Sequence, residues 1–347
     1  MNRHFGRHLA VLGILALFAA APVAAQDSTG YHVTQRYTVG GDGGWDYLTV
    51  DTDAHRLYVS RGTHVQVINL DNGTLAGDIL NTPGVHGIAV APSLNRGFTS
   101  NGRDSSVTIF DLRTLAMIGN VKVTGANPDA IVLDPVSNRV FTMNGRSASA
   151  TAIDAAMGTV EGTVILNGRP EFAVADGRGR IYVNIEDSSA VVAFNARTLQ
   201  VEARWSLAPC EEPSGLAIDR QHRRLFSVCG NGMMAISNAD TGRLITTVPI
   251  GRGVDGAGFD PGSQNAFASA GGDGVLSIVH EDSPDHYTLL GNAPTQRGAR
   301  TMTVDERAHH IYLSTAEFGP APAPVAGQRP QRPPMIPGSF VVLVVER

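Results

Sequence analysis

Six positions carry side chains able to bind an ion, move a proton or hold a small charged molecule: Asp46, His86, Asp129, Glu171, Asp255 and Arg300. Carboxylates gathered around one histidine make a donor set for a divalent cation, because hard cations take oxygen and imidazole supplies nitrogen. Asp46, Asp129, Glu171 and Asp255 are the candidate metal ligands, with His86 beside them. A bound ion of this kind would polarise a carbonyl while a neighbouring base takes a proton, which makes His86, Glu171 and Arg300 candidate catalytic residues. A second series, Asn101, Asn144, Asn184 and Glu186, widens the candidate ligand-binding set, with Arg61, Arg103, Arg146 and Glu317 at equivalent places. Arg300 with Arg103 and Arg146 offers the opposite chemistry, a clamp for a carboxylate or phosphate. No HExxH, calcium loop or GxSxG accompanies these residues, so a solvated ring of polar loops is the preferred account of them over a metal site.

Convergence of residues so far apart requires a repeating scaffold. Seven segments share a hydrophobic strand, a turn and a second strand with an aromatic seven residues after the turn-opening position. The clearest are LTVDTDAHRLYV from Leu48, IAVAPSLNRGFT from Ile88 and IVLDPVSNRVFT from Ile131. The openers Asp51, Ala91, Asp134, Ala175, Asp219, Asp260 and Asp305 are 40, 43, 41, 44, 41 and 45 residues apart, a propeller-blade period. Third and fourth strands follow, as in VTIFDLRTL from Val107 and LITTVPI from Leu244. The fold class is therefore all-β, a seven-bladed propeller of four-stranded antiparallel blades over 26–347, with blades starting near 46, 86, 129, 170, 214, 255 and 300. The last repeat lacks one strand, and Tyr31 to Val39 supplies it, closing the ring without an open edge. In this fold the loops into the innermost strands and the loops joining second to third strands share one face, the channel mouth. Five residues before each opener stand Asp46, His86, Asp129, Pro170, Ser214, Asp255 and Arg300, and Glu171 is one further on.

These repeats resemble those of the YncE-like, YVTN-repeat propellers, with LYVSRGTHVQVINLDNGTL (Leu57 to Leu75) carrying the likeness most clearly. The resemblance covers 31–347 and implies a secreted seven-bladed propeller with binding or scaffolding roles. Related propellers include lactonases, so the fold alone does not choose between binding and catalysis.

Arg3 and Arg7 precede an apolar run from Leu9 to Ala20 and a small-residue stretch ending Val23-Ala24-Ala25, the pattern of a cleavable signal peptide over 1–25. The run is shorter than a membrane span needs, so the expected product is periplasmic or secreted, without a membrane span and monomeric. In an oxidising compartment Cys210 and Cys229 form a disulfide; two free thiols or half a metal site are the alternatives. The formal net charge is -5 and Lys122 is the only lysine, which argues against nucleic acid as a partner. The Pro-rich stretch Gly319 to Gly338 interrupts the last blade at the mouth, and reads either as a lid or docking arm or as a tolerated insertion. GGDGGW at Gly40 to Trp45 has no helix behind it and reads as a turn rather than a phosphate loop. His280, His286, His309 and His310 are expected as solvated loop residues on the opposite face. The first expectation for function is binding of a small molecule or protein partner at the mouth. The others are a metal-dependent, lactonase-like hydrolase using a divalent ion there, and an envelope interaction scaffold.

Overall fold

The turn-opening aspartates explain why each repeat reverses after its first strand. Asp219 accepts the amides of Gln221 and His222 at 2.8 and 2.9 Å, and Asp260 those of Gly262 and Ser263 at 3.0 and 3.2 Å. Asp305 does the same for Arg307 and Ala308. Each carboxylate satisfies amides that a tight turn strips of backbone partners. Where the second repeat has Ala91, a 3-10 turn at Pro92–Leu94 takes over, ended by Asn95 at φ 51°.

The computed structural model describes residues 1, 29–41, 43–322 and 333–347. Nearly all of the expected leader, and residues 323–332 of the Pro-rich insertion, lie outside the described residues. The strands form seven four-stranded sheets, six of them sequential antiparallel blades over 48–79, 85–122, 128–165, 170–206, 213–249 and 254–294. The seventh orders Thr301–Asp305, His310–Thr315, Val341–Glu346 and, outermost, His32–Tyr37. The first strand of the chain thus pairs antiparallel with the last, His32 opposite Glu346 and Tyr37 opposite Val342. The closing strand covers the outer edge of Val341–Glu346 and completes the seventh blade to four strands.

The conserved-in-register aromatics of the second strands, Tyr58, Phe98, Phe141, Tyr182, Phe226, Phe267 and Tyr312, are all buried. They sit between neighbouring sheets, where Phe141 meets Phe194 at 5.3 Å and Phe226 stacks on Phe259 at 5.1 Å. Apolar clusters fill each junction, as where Tyr58, Val65 and Val67 of the first blade meet Val85, Ile88 and Phe110 of the second. No blade covers its own two faces, so stability is a property of the closed ring. Cys210 and Cys229 are disulfide-bonded, Cα atoms 5.8 Å apart, tying the loop before the fifth blade to the end of that blade's second strand. Closing a loop of this length contributes on the order of 3 kcal/mol.

A candidate ligand site at the channel mouth

Five innermost strands begin with a β-bulge, at Val85/Ile88, Pro128/Ile131, Pro170/Ala173, Pro213/Leu216 and Val254/Gly256. A bulge re-aims the side chains at its position, and here the re-aimed residues include His86, Asp129, Glu171 and Asp255. Side chains of the second strands then fix the backbone that carries them. The Ser60 hydroxyl accepts the Asp46 amide at 3.0 Å, Ser100 accepts the Gly87 amide at 2.9 Å and donates to the Asp129 carbonyl, and Ser269 donates to the Arg300 carbonyl. Thr301 donates to the Asp46 carbonyl at 2.7 Å, joining the seventh blade to the first.

On this frame His86 Nδ1 lies 2.6 Å from Asp46 Oδ2 and 3.7 Å from Asp129 Oδ1. Arg300 Nε lies 2.9 Å from Asp255 Oδ2, and its guanidinium reaches Asp46 at 3.7 Å. Glu186 is held by Arg169 at 2.5 Å and bonds the Glu171 carboxyl. Five carboxyl groups therefore face Arg169, Arg300 and the His86 imidazole. Burial pushes Glu171 up to about 9, helped by its hydrogen bond to Glu186 and by the charges of Asp129 and Asp255. At neutral pH Glu171 is the protonated partner of a carboxyl–carboxylate pair. Burial raises Asp255 to about 7 against the pull of Arg300, and Asp129 to about 6 against the pull of His86. For His86, burial works to lower its pKa, but the Asp46 hydrogen bond and the Asp129 charge win, and it is raised.

The floor of the site is apolar. Tyr47, fully buried, packs edge-on against Phe172 at 5.2 Å, and burial among the carboxylates drives its hydroxyl pKa well above the usual value. The space at this level is about 40 Å³, lined by Tyr47, Ile88, Ile131 and Phe172 among others, too small for an organic ligand. Beside the ring opens a much larger cleft of about 1150 Å³, which shares Arg300 and is walled by Trp45, Arg297, Phe318, Met335 and Ile336. Its wall includes both described ends of the Pro-rich insertion: Phe318 bridges Met335, and the Gly319 amide donates to the Pro334 carbonyl at 2.8 Å. Trp45 lies 6.0 Å from Phe318 and 5.5 Å from Phe340, so it builds the wall.

Several sequence expectations need correction. Asn101, Asn144 and Asn184 have no exposure. Asn101 bonds Thr99, Ser106 and Thr108, Asn144 bonds Thr142, Ser149 and Thr151, and Asn184 donates to the Ser214 and Gly215 carbonyls. They brace blades rather than face a ligand. Arg61 is also buried, donating to the Gly40, Gly41 and Gly43 carbonyls and lying 3.7 Å over Phe340. Arg300 is paired with acids, so no arginine clamp forms with Arg103 and Arg146. Of the four carboxylates expected as metal ligands, only Asp46 and Asp129 join His86 in a group whose donor atoms lie within 4.8 Å; Glu171 and Asp255 are engaged elsewhere. Sequence reading missed the Tyr47 hydroxyl, which bears on the Asp129 carboxyl, and Arg169, which holds Glu186.

No protein-family model and no curated protein sequence matches this chain. Solved structures do. A chain of the Mitotic Checkpoint Complex is similar with a TM-score of 0.72 at 15% identity, over 89% of this chain and 96% of that one. The RRP9 WD40 repeats align with a TM-score of 0.74 at 8% identity, over 91% and 97%. A Kuenenia stuttgartiensis hydrazine synthase chain aligns with a TM-score of 0.68 at 14% identity, over 79% and 93%. At such identities these likenesses show the fold alone, a seven-bladed propeller with WD40-like neighbours.

Proposed function

We propose that the protein is an exported, YncE-like binding propeller whose mouth takes a small molecule carrying a positive charge. One observation carries the reading: Asp46, Asp129, Glu171, Glu186 and Asp255 converge around Arg169, Arg300 and the His86 imidazole, and burial, with the neighbouring carboxylates adding to it, pushes three of these carboxyls upward. An ammonium or similar group entering the ring replaces water with ion pairs in a partly desolvated place, where such pairs are strongest. The adjoining cleft, with Trp45, Phe318, Met335 and Ile336, suits the apolar remainder of the molecule. Exported status rests on the sequence of the first 25 residues.

A thermal-shift panel tests the reading. Benzyltrimethylammonium and hexylammonium are expected to raise the melting temperature, while benzoate and hexanoate leave it unchanged; stabilisation by the anions alone sinks it.

The second reading, a metal-dependent hydrolase, is favoured by the grouping of Asp46, His86 and Asp129 donor atoms within 4.8 Å. Two ligands on one ion at about 2.1 Å each stand about 3.0 to 3.5 Å apart. The 2.6 Å approach of His86 to Asp46 is instead a hydrogen-bond distance, so metal binding there requires the two side chains to part. Turnover of a lactone or ester that depends on added Zn²⁺ and disappears in His86→Ala is the result that supports this second reading over the first.

A further inference from the structure

On the face opposite the mouth, Asp219, His222 and Glu281 bring one nitrogen and two carboxylate donors within 4.8 Å of one another. His222 Nδ1 stands 2.9 Å from Asp219 Oδ2 and 3.1 Å from Glu281 Oε1. The 3.1 Å separation falls within the roughly 3.0 to 3.5 Å between two ligands of a common divalent ion and the 2.9 Å one just short of it; both are also hydrogen-bond distances, so an ion entering displaces the His222 proton with little movement of the side chains. The independent sign of a ligand is the Glu281 carboxylate: the side chain is 1% exposed, and its Oε2 has no hydrogen-bond partner among the described residues. A buried carboxylate oxygen without a partner is costly, and such atoms ask for an explanation. Among the described residues no donor meets Oε2 with hydrogen-bond geometry, although the Tyr287 hydroxyl faces Glu281. The Tyr287 hydroxyl, beside Glu281, donates to the Pro284 carbonyl at 3.0 Å. Arg224 directs its donors to the carbonyls of Pro284, His222 and Arg223 and to Asp285.

A control lies one blade on. His309, reaching over from the seventh blade's turn, stands 2.9 Å from the turn aspartate Asp260, whereas His222 belongs to the same turn as Asp219; among the described residues no second carboxylate joins the His309 pair in a three-donor group. What makes the fifth–sixth blade junction different is the long hairpin Val275–Ser283 and His286–Pro294, nine residues a strand where most blade strands have six, which carries Glu281 across to the neighbouring turn. We propose that Asp219, His222 and Glu281 form a binding site for a divalent transition-metal ion such as Zn²⁺, joining the fifth and sixth blades, with the remaining coordination open to water past the half-exposed His222 edge. A nitrogen and two carboxylates suit such an ion, and a site with solvent-facing positions holds it without the closed shell of a zinc finger.

The experiment is equilibrium dialysis of the full chain, purified without an affinity tag, against Zn²⁺, with elemental mass spectrometry as the readout. The expected result is an equivalent of Zn²⁺ that survives in the Asp46→Asn/His86→Ala double variant. Affinity falls roughly tenfold or more in Glu281→Gln and in His222→Ala. His222 lies in a turn and Glu281→Gln is isosteric, so both variants are expected to fold, which circular dichroism and the metal-free melting temperature check. Folded Glu281→Gln and His222→Ala proteins that bind Zn²⁺ as the parent does overturn the proposal, as does a parent chain that takes up no Zn²⁺ or loses all of it in the mouth variant.

Discussion

Among the described residues, Asp46, His86 and Asp129 on one face of the ring and Asp219, His222 and Glu281 on the other each bring one histidine to two carboxylates, and their wiring differs. At the mouth, Asp46, His86 and Asp129 come from three different blades and are already engaged by one another, by Arg300 and by Tyr47. Across the ring, Asp219 and Glu281 are almost fully buried, and one Glu281 oxygen is left without a partner. The first arrangement opens onto a cleft of about 1150 Å³ and suits a molecule; the second encloses only enough donors for an ion. Like residue types thus do different work according to how many of their donors and acceptors the fold has already used.

Removing the strand that closes the ring breaks both regions at once. Deletion of residues 29–37 unpairs His32 through Tyr37 from Val342 through Glu346 and exposes the seventh blade's edge. The expected outcome is a drop in melting temperature of more than about 10 °C with loss of both ligand and metal binding, because nearest-neighbour packing makes the ring cooperative. A truncated chain that melts as the parent does contradicts the closure.

Arg300→Ala separates the two faces. It strips Asp255 of its 2.9 Å partner and Asp46 of its second cation. Since Arg300 is about one-third exposed, the loss of stability is expected at about 1 to 2 kcal/mol rather than the larger cost of a deeply buried pair. Denaturant unfolding measures it, and Zn²⁺ uptake on the opposite face should not change.

Glu171→Gln sharpens the electrostatic side. Its carboxyl is raised from 4.5 to about 9 in the folded protein, so between those values the folded state holds more protons than the unfolded chain. Stability contributed by this group is therefore fully present at acid pH and declines as pH rises through that window. Glutamine mimics the protonated acid and can still donate to Glu186. Melting temperature is expected to match the parent at pH 4 and to exceed it by about 2 °C or more at pH 8.5. An unchanged difference across that range removes the claim that Glu171 is protonated at neutral pH.

The smallest effect is expected from Gly102→Ala. A Cβ there would stand 2.7 Å from His86 Nε2, so the imidazole must move. Affinity of the mouth for benzyltrimethylammonium should change several-fold while stability and metal uptake stay near parental values; an unaltered affinity shows that the His86 position does not matter to binding.

Most of the architecture was readable before the structure, because blade strands repeat every forty or so residues and aspartates open five of the seven turns. The positions of His86, Asp129 and Asp255 follow from the repeat, each standing five residues before a turn opener, with Glu171 one place off that register. The asparagines were misread for a local reason: Asn101 and Asn144 end their second strands pointing at hydroxyls of the third strand, and the period of two decides that direction. Nothing local announced the opposite-face group. His222 and Glu281 are 59 residues apart, and they meet only because one hairpin is longer than its counterparts.

The central claim is that the mouth selects positive charge. Calorimetric titration of benzyltrimethylammonium, set against its neutral isostere neopentylbenzene, in two buffers of different ionisation enthalpy at pH 7, tests it most directly. The account predicts at least roughly tenfold tighter binding of the cation, with protons released as carboxyls of the ring ionise, and loss of that preference in the Asp129→Asn/Asp255→Asn variant. Equal affinity for the two compounds, or binding without proton release, contradicts it.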